Sequence, residues 1–259
     1  MIKTALITGA ASGLGYELSL LLARDTYNLI LVDIDNEKVK SVKDEIQKSF
    51  NIQVDVLVKD LSKPNIAVEI VEEIKGVSID VLVNNAGFGL FGSFNNTEWE
   101  RELQMLNVHI LTSTHLTKLL LKDMVIRDSG KILNISSLAA FQPGPLMSVY
   151  YASKSYLLSF SEAIANELKG TGVTVTALCP GPTKTGFQET VSEHASENKI
   201  SFNMACAKQV SKYGYKAMLK GKTYAIPGLF NKFLAILPRF ISRNAVASLV
   251  RKIQEENRD

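Results

Sequence analysis

Hydrophobic residues along the chain form short runs rich in leucine and β-branched residues, and these runs alternate with longer stretches of helical periodicity. This alternation is typical of a parallel sheet covered by helices on both faces. The predicted strands are TALIT, NLILVD, QVDVLVKD, IDVLVNNAG, GKILNISS, GVTVTALCPG and KTYAIPG. The predicted helices lie near residues 14–24, 36–49, 63–75, 97–127 and 149–170. The pattern predicts a single α/β domain, residues 1–259, with a doubly wound parallel sheet of about seven strands.

The regular alternation ends near Thr185. Residues 186–207 are polar with scattered hydrophobic positions, and we interpret residues 186–215 as a substrate lid or loop. Residues 226–259 form a hydrophobic and basic C-terminal extension that Pro238 interrupts. This extension could cap the substrate pocket, contact another subunit or lie on a membrane surface. Because Pro238 breaks it and its basic residues do not all share one face, the first two roles are favoured over the membrane.

Composition and charge exclude several classes of protein. The chain has 29 Lys and Arg against 26 Asp and Glu, so the total does not indicate nucleic acid as a partner. Cys179 and Cys206 are too few for a disulfide framework and lack metal-binding spacing, so we expect a cytoplasmic protein without a metal. The histidines, including His109, have no partner at ligand spacing and are expected to be structural. No hydrophobic run suits a secretory signal or a membrane-spanning helix.

A glycine-rich turn, TGAASGLG, follows the first predicted strand. Gly9 would form the exit from the strand, Gly13 would let the backbone approach a pyrophosphate, and Gly15 would let the next helix pack closely on the sheet. The helix N-terminus would offer unpaired N–H groups and the positive end of its dipole to phosphate. A dinucleotide site is therefore predicted, although a glycine triplet alone also suits an ordinary tight turn.

Asp33 predicts the cofactor preference. It ends the second predicted strand, 18 positions after Gly15. A carboxylate there would accept hydrogen bonds from an adenosine ribose and repel a 2′-phosphate. No Lys or Arg in the glycine turn or directly after Asp33 would neutralise that phosphate, so NAD is preferred and NADP is less favoured. A role for Asp33 as a helix N-cap or as a solvated strand end is the alternative.

The stretch SVYYASKSYLL contains three tyrosines and one lysine. Helical residues four apart share a face, so Lys154 is aligned with Tyr150 and not with Tyr151 or Tyr156. A cation within about 4 to 6 Å would lower the phenol pKa by roughly one to three units. Tyr150 would then exchange protons with a substrate hydroxyl or carbonyl. The preceding strand places Ser137 at its C-terminal end, where doubly wound sheets bind ligands.

From residue 1 to about residue 185 the chain resembles the short-chain dehydrogenase/reductase family. The family's TGxxxGxG turn matches TGAASGLG, its NNAG motif matches Asn84 to Gly87, and its PGxxxT motif matches Pro180 to Thr185. The single positions that match are Asp60, Asn107, Ser137 and the Tyr-x-x-x-Lys pair Tyr150 and Lys154. The resemblance implies a Rossmann-type fold and assembly as a homodimer or homotetramer.

The resemblance also implies roles for the matching residues. Tyr150 would be the general acid/base, Ser137 would bind the substrate oxygen, and Lys154 would hold the nicotinamide ribose and lower the Tyr150 pKa. Asn107 would help hold a water that relays protons. The predicted cofactor-binding residues are Gly9, Ser12, Gly13, Leu14, Gly15, Asp33, Asp60, Leu61, Asn85, Ala86, Gly87, Tyr150, Lys154, Pro180, Gly181, Thr183 and Thr185.

Hydrophobic residues near these motifs predict the substrate class. The predicted substrate-lining residues are Phe88, Phe141, Leu146, Met147 and Phe187. No anion clamp for a small acidic substrate is evident. We therefore expect an NAD(P)-dependent oxidoreductase acting on a secondary alcohol or ketone of steroid, fatty-chain or terpenoid type. A non-catalytic dinucleotide sensor or scaffold is the alternative, and the complete proton-transfer set favours an enzyme.

Overall fold

The computed structural model describes residues 2–185 and 204–256. In chain order its strands are β1 Thr4–Thr8, β2 Asn28–Asp33, β3 Val54–Val58, β4 Val81–Asn84, β5 Gly130–Ile135, β6 Val173–Leu178, β7 Thr183–Lys184, β8 Ala205–Cys206 and β9 Tyr224–Ala225. In the described part of the chain, a parallel sheet of seven strands has the order β3-β2-β1-β4-β5-β6-β9, and β7 pairs with β8 separately. The predicted parallel sheet is confirmed.

Helices cover both faces of this sheet. The α-helices are α1 Gly13–Arg24, α2 Asn36–Ser49, α3 Ile66–Glu73, α4 Trp99–Leu106, α5 Ser113–Ile126, α6 Ser148–Glu167, α7 Ala207–Leu219, α8 Leu229–Ile236 and α9 Arg243–Glu256. A π-helical segment, Asn107–Thr112, joins α4 to α5, and 3-10 turns occupy Leu138–Phe141 and Leu237–Arg239. None of the described helices is both long and hydrophobic enough to cross a membrane.

The strands are buried on both sides because consecutive residues of a strand point to opposite faces. In β1, Ala5 and Ile7 pack in one hydrophobic cluster, together with residues of α1, α2 and α7. Leu6 packs in the other cluster, together with residues of α3 and α5. All five residues of β1 are buried, which explains why its sequence is hydrophobic without alternation.

Two elements differ from the sequence prediction. The helix predicted over 97–127 contains the π-helical segment that begins at Asn107, and such segments occur often at functional sites. The lid or loop was predicted to extend to residue 215, but α7 begins at Ala207 and packs on the sheet. The buried face of α7 includes Val210, Ser211, Gly214, Tyr215 and Met218. The predicted C-terminal boundary of the lid is therefore too late in the chain.

The strand order reverses between β1 and β4, and the register of the strands places their carboxyl ends together. Thr8 of β1 lies beside Val32 of β2, and Ile7 lies beside Val83 of β4. Doubly wound sheets bind ligands in the crevice at such a reversal. The fold therefore places the candidate site beyond the ends of β1 and β4.

Candidate active site

A cleft of about 1170 Å³ opens beyond these strand ends. At one end it is lined by the glycine turn between β1 and α1, and at the other by residues of α8, α9 and the turn between these helices. Ser137, Tyr150 and Lys154 line the cleft between its two ends. The cleft therefore joins the glycine turn to the side chains of Ser137, Tyr150 and Lys154.

The glycine turn adopts backbone conformations that glycine tolerates best. Gly9 and Gly13 have φ angles of 65° and 57°. Gly15 lies against the turn, because a Cβ there would be 2.0 Å from the carbonyl oxygen of Gly9. Asn85 stabilises the turn, since its Nδ2 donates hydrogen bonds of 2.9 Å to the carbonyl oxygens of Thr8 and Gly9. The helix α1 then begins at Gly13 and directs its N-terminus to the cleft.

Asp33 faces back toward this turn. Its Oδ2 accepts a 2.8 Å hydrogen bond from the N–H of Ala11, and its Oδ1 accepts one of 3.1 Å from the N–H of Asp35. The N-cap of α2 is Asp35, whose Oδ1 accepts a hydrogen bond from the N–H of Lys38. The N-cap alternative for Asp33 is therefore wrong, and its carboxylate lies on the cleft wall.

Two lysines that sequence reasoning did not include also line this end of the cleft, Lys38 and Lys59. Nζ of Lys38 is 3.0 Å from Oδ2 of Asp35, and Lys59 forms an ion pair with Glu73. Neighbouring carboxylates therefore balance both positive charges.

The loop after β3 connects Asp60 to Asn107. Asp60 Oδ1 accepts hydrogen bonds from the backbone N–H and the hydroxyl of Ser62, at 2.9 and 2.7 Å. Asn107 Nδ2 donates a 2.9 Å hydrogen bond to the carbonyl oxygen of Ser62. This hydrogen bond connects the π-helical segment that begins at Asn107 to the loop that carries Asp60.

Lys154 is buried beneath Tyr150. Its Nζ donates a 3.0 Å hydrogen bond to the carbonyl oxygen of Ile135 and lies 5.7 Å from the centroid of the Tyr150 ring. Burial lowers the Lys154 pKa from 10.5 to about 8. Lys154 is therefore the group in this set whose charge changes nearest to neutral pH.

The Tyr150 pKa contradicts the sequence expectation. Burial raises it from 10.0 to about 12, and a hydrogen bond with the side chain of Ser137 opposes this rise only in part. We expected Lys154 to lower this pKa, but removing the phenolate from water has the larger effect. The phenol therefore stays protonated through neutral pH.

His109 connects the NNAG loop to α6. Its Nε2 accepts a 3.2 Å hydrogen bond from the N–H of Phe88, so its Nδ1 carries the proton and donates to Oγ of Ser153 at 2.8 Å. Ser153 in turn donates a 2.7 Å hydrogen bond to the carbonyl oxygen of Tyr150. Burial, and secondarily the charge of Lys154, keep the His109 pKa well below 6.5, so the ring stays neutral.

The cleft wall contains most of the predicted site residues. Those that do not line it are Gly15, Asn107, Phe141 and Leu146. Phe141 packs instead against a hydrophobic cluster that includes Leu158 and Ala235. Leu146 has a φ angle of 66° and uses its carbonyl oxygen to accept a hydrogen bond from Gly92. Phe187 lies outside the described residues.

Sequence reasoning missed several residues that line the cleft. Arg101 of α4 lies with its guanidinium carbon 4.9 Å from the centroid of the Phe88 ring. Gln254 of α9 donates a 2.9 Å hydrogen bond to the hydroxyl of Tyr151. No motif links such distant positions, and only the docking of α9 on α6 brings Gln254 to the site. Among the described residues, no cluster of His, Cys, Asp and Glu could hold a metal.

A model of the short chain dehydrogenase family matches residues 3–196. The chain belongs to this family. Mouse 17-beta-hydroxysteroid dehydrogenase type 3 is 36% identical over 183 residues, which are 70% of this chain and 60% of the mouse protein. The chain thus spans about three fifths of the length of that relative.

Two further members of the family cover more of the chain. The ketoacyl reductase HetN of Nostoc sp. is 35% identical over 226 residues, which are 85% of this chain and 76% of that protein. A solved short-chain dehydrogenase from Sphingobium yanoikuyae, in complex with NADPH, superimposes with a TM-score of 0.83 at 23% identity. The superposition covers 100% of this chain and 97% of the Sphingobium chain. This last likeness supports the fold.

Proposed function

We propose that this short-chain dehydrogenase is an NAD(P)-dependent oxidoreductase that interconverts a secondary alcohol and a ketone on a hydrophobic substrate. The observation that carries the proposal is that Ser137, Tyr150 and Lys154 line the same cleft as the glycine turn. A scaffold without catalysis would not require a buried lysine beneath a phenol that faces a cleft. Self-association as a homodimer or homotetramer and a cytoplasmic location remain predictions.

The residues present fit a nicotinamide dinucleotide. Gly13 at the N-terminus of α1 leaves open the approach to unpaired backbone N–H groups, which suit a pyrophosphate. A Cβ at this position would lie 3.0 Å from Cγ2 of Thr185, so the glycine also lets the PGxxxT loop close over the turn. Asp33 would bind the adenosine ribose, Asp60 would contact adenine, and Lys154 would hold the nicotinamide ribose. The bound dinucleotide would supply or accept the hydride.

Tyr150, Ser137 and Lys154 would handle the proton. Because the Tyr150 pKa is about 12, the phenol is protonated at neutral pH and is suited to donate to a carbonyl oxygen. Ser137 would hydrogen-bond the same oxygen and hold it at the phenol. The positive charge of Lys154 would stabilise the phenolate that forms as the proton leaves. These features favour ketone reduction.

The substrate end of the cleft is hydrophobic. Its described walls include Phe88, Met147, Leu234, Leu237 and Ile241. By their names, the mouse relative acts on hydroxysteroids and the Nostoc relative on ketoacyl chains. A steroid or fatty-chain ketone therefore suits these walls, and Arg101 at their edge could contact an acidic group of the substrate.

A substrate screen tests this proposal. Steroid ketones, long-chain 3-oxoacyl thioesters and small polar ketones or sugars are each offered with reduced cofactor, and absorbance at the nicotinamide band is followed. We expect at least about a hundredfold higher kcat/KM for the hydrophobic compounds, because each buried methylene adds to binding. Turnover limited to small polar ketones or sugars would refute the substrate class.

The proposed preference for NAD is tested by Asp33→Asn. This change removes the charge that would repel a 2′-phosphate and keeps an oxygen that can accept from the N–H of Ala11. We expect the NADP-to-NAD ratio of kcat/KM to rise about tenfold or more. Asp44→Asn is the matched control, since Asp44 is an exposed residue of α2 that does not line the cleft. A wild-type preference for NADP, or equal ratios in both variants, would contradict the assignment.

A further inference from the structure

The outer face of α8 and of the turn that follows it is strongly hydrophobic. Its exposed side chains, here named the α8 patch, are Leu229, Phe230, Phe233, Ile236 and Phe240. Leu229 and Phe240 are 83% and 82% exposed, and Phe230 is 71% exposed. Soluble monomers seldom expose large groups of adjoining hydrophobic side chains, and those that do use them for binding. The α8 patch is therefore a candidate contact surface.

Helical spacing puts the patch on one side of α8. Phe233 and Ile236 follow Leu229 by four and seven positions, which places the three side chains in one stripe. The other side of the helix faces the protein, since Ala235 is buried and Leu234 lines the cleft. The helix therefore has an inner face at the substrate end of the cleft and an outer face that is exposed.

Positive charge is concentrated in the same part of the chain. Residues 204–256 contain ten Lys and Arg against two acidic residues, Glu255 and Glu256, which form ion pairs with Arg251 and Lys252 at the end of α9. The whole chain has a net charge of only +3. All ten of these basic residues are exposed. Lys232 lies on α8, Arg239 ends the turn that follows it, and Arg243 begins α9. Hydrophobic and basic side chains thus occur together next to the mouth of the cleft.

We propose that the α8 patch and its basic neighbours bind the surface of a bilayer with anionic headgroups. Aromatic and aliphatic side chains of an interfacial helix enter the boundary between headgroups and acyl chains, and adjacent Lys and Arg attract anionic lipid. Sequence spacing favoured other roles for this extension. The exposure of the patch and the basic residues beside it in the chain change that preference.

A second copy of the chain fits this surface less well. In a symmetric dimer built on the patch, each copy would present the same surface to the other. Lys232, Arg239 and Arg243 would then face like charges, because the two carboxylates at the end of α9 already form ion pairs with basic residues of that helix. Anionic headgroups supply the opposite charge that a second copy lacks.

Membrane binding would place the cleft at the lipid surface. Leu234, Leu237 and Pro238 line the cleft, and they belong to the same segment as the patch. A hydrophobic ketone dissolved in the bilayer could then enter without crossing water. Only this last step rests on the proposed function, because lipid binding itself requires no turnover.

Vesicle flotation of the full chain tests the proposal. We expect the protein to float with phosphatidylcholine vesicles that contain about 30 mol % phosphatidylserine, and to float much less with pure phosphatidylcholine or in about 0.5 M NaCl. Replacing Phe230, Phe233 and Phe240 with serine should weaken binding about tenfold or more. Replacing Lys232, Arg239 and Arg243 with glutamate should weaken it to a similar extent on the anionic vesicles.

Matched controls change the same number of exposed residues elsewhere. Serine at Val77, Phe94 and Ile126 is the hydrophobic control, and glutamate at Lys40, Lys48 and Lys169 is the charge control. Both should bind like the wild type, and equal melting temperatures would show that each variant is folded. Wild-type protein that stays off anionic vesicles would overturn the proposal. The proposal would also be overturned if serine at Phe230, Phe233 and Phe240 left lipid binding unchanged but lowered the mass measured by light scattering. That result would assign the patch to contact with a second copy of the chain.

Discussion

Replacing Tyr150 with phenylalanine is expected to lower kcat for ketone reduction by about 10²- to 10⁴-fold, the usual contribution of a positioned general acid. The hydroxyl removed is the one that Ser137 contacts and whose raised pKa keeps it protonated. The ring stays, so its packing against His109 and the site of Lys154 are retained. KM for the cofactor should therefore change by less than about threefold.

Steady-state kinetics and fluorescence titration of the reduced cofactor measure the two effects separately. Tyr151→Phe is the matched control, because Tyr151 is the adjacent residue, lines the same cleft and donates no proton in the proposed mechanism. It should keep kcat within about threefold of the wild type. Undiminished kcat in Tyr150→Phe would refute the mechanism, and a large loss in Tyr151→Phe alone would move the acid role to the neighbouring phenol.

The pH profile of ketone reduction is expected to follow Lys154. Its pKa is lowered from 10.5 to about 8 by burial, so the positive charge is present below pH 8 and is lost as the pH rises through that value. Without the charge, the phenolate formed at Tyr150 loses its nearest stabilising cation. We expect kcat/KM to be flat below pH 7 and to fall about tenfold per pH unit above 8.

Lys154→Met should remove this falling limb and lower kcat/KM at pH 7 about a hundredfold or more, since it leaves no cation beneath the phenol. Lys131→Met is a suitable control: burial lowers the Lys131 pKa too, but this residue lies near the start of β5 and away from the cleft. Its profile should match the wild type. A limb near pH 8 that persists in Lys154→Met would assign the ionisation to another group and contradict the proposed role.

His109 shows why the sequence could not identify every residue that shapes the site. Its ring connects the backbone of Phe88, 21 positions before it, to Ser153, 44 positions after it, and through Ser153 to Tyr150. A lone histidine on a helix usually has a structural role, and its spacing to Asn107 carries no signal. The connection exists only because the π-helical segment packs between the NNAG loop and α6.

The sequence alone determined the features that depend on local pattern. Hydrophobic runs predicted the seven strands of the main sheet, and the glycine spacing predicted the turn before α1. The four-residue spacing predicted that Lys154 lies beside Tyr150. Each of these rests on backbone geometry over a few residues, which neighbouring positions specify.

Only the tertiary structure decided the rest, because burial and long-range contact depend on how the elements pack. The raised pKa of Tyr150 follows from the environment around the ring, and the neighbouring lysine does not reverse it. Gly214 of α7 lies against Leu178 of β6, and the hydroxyl of Ser211 donates a 3.3 Å hydrogen bond to the carbonyl oxygen of Leu14 in α1, contacts between residues far apart in the chain. The two faces of α8 became distinct once one of them was placed on the cleft and the other was left exposed.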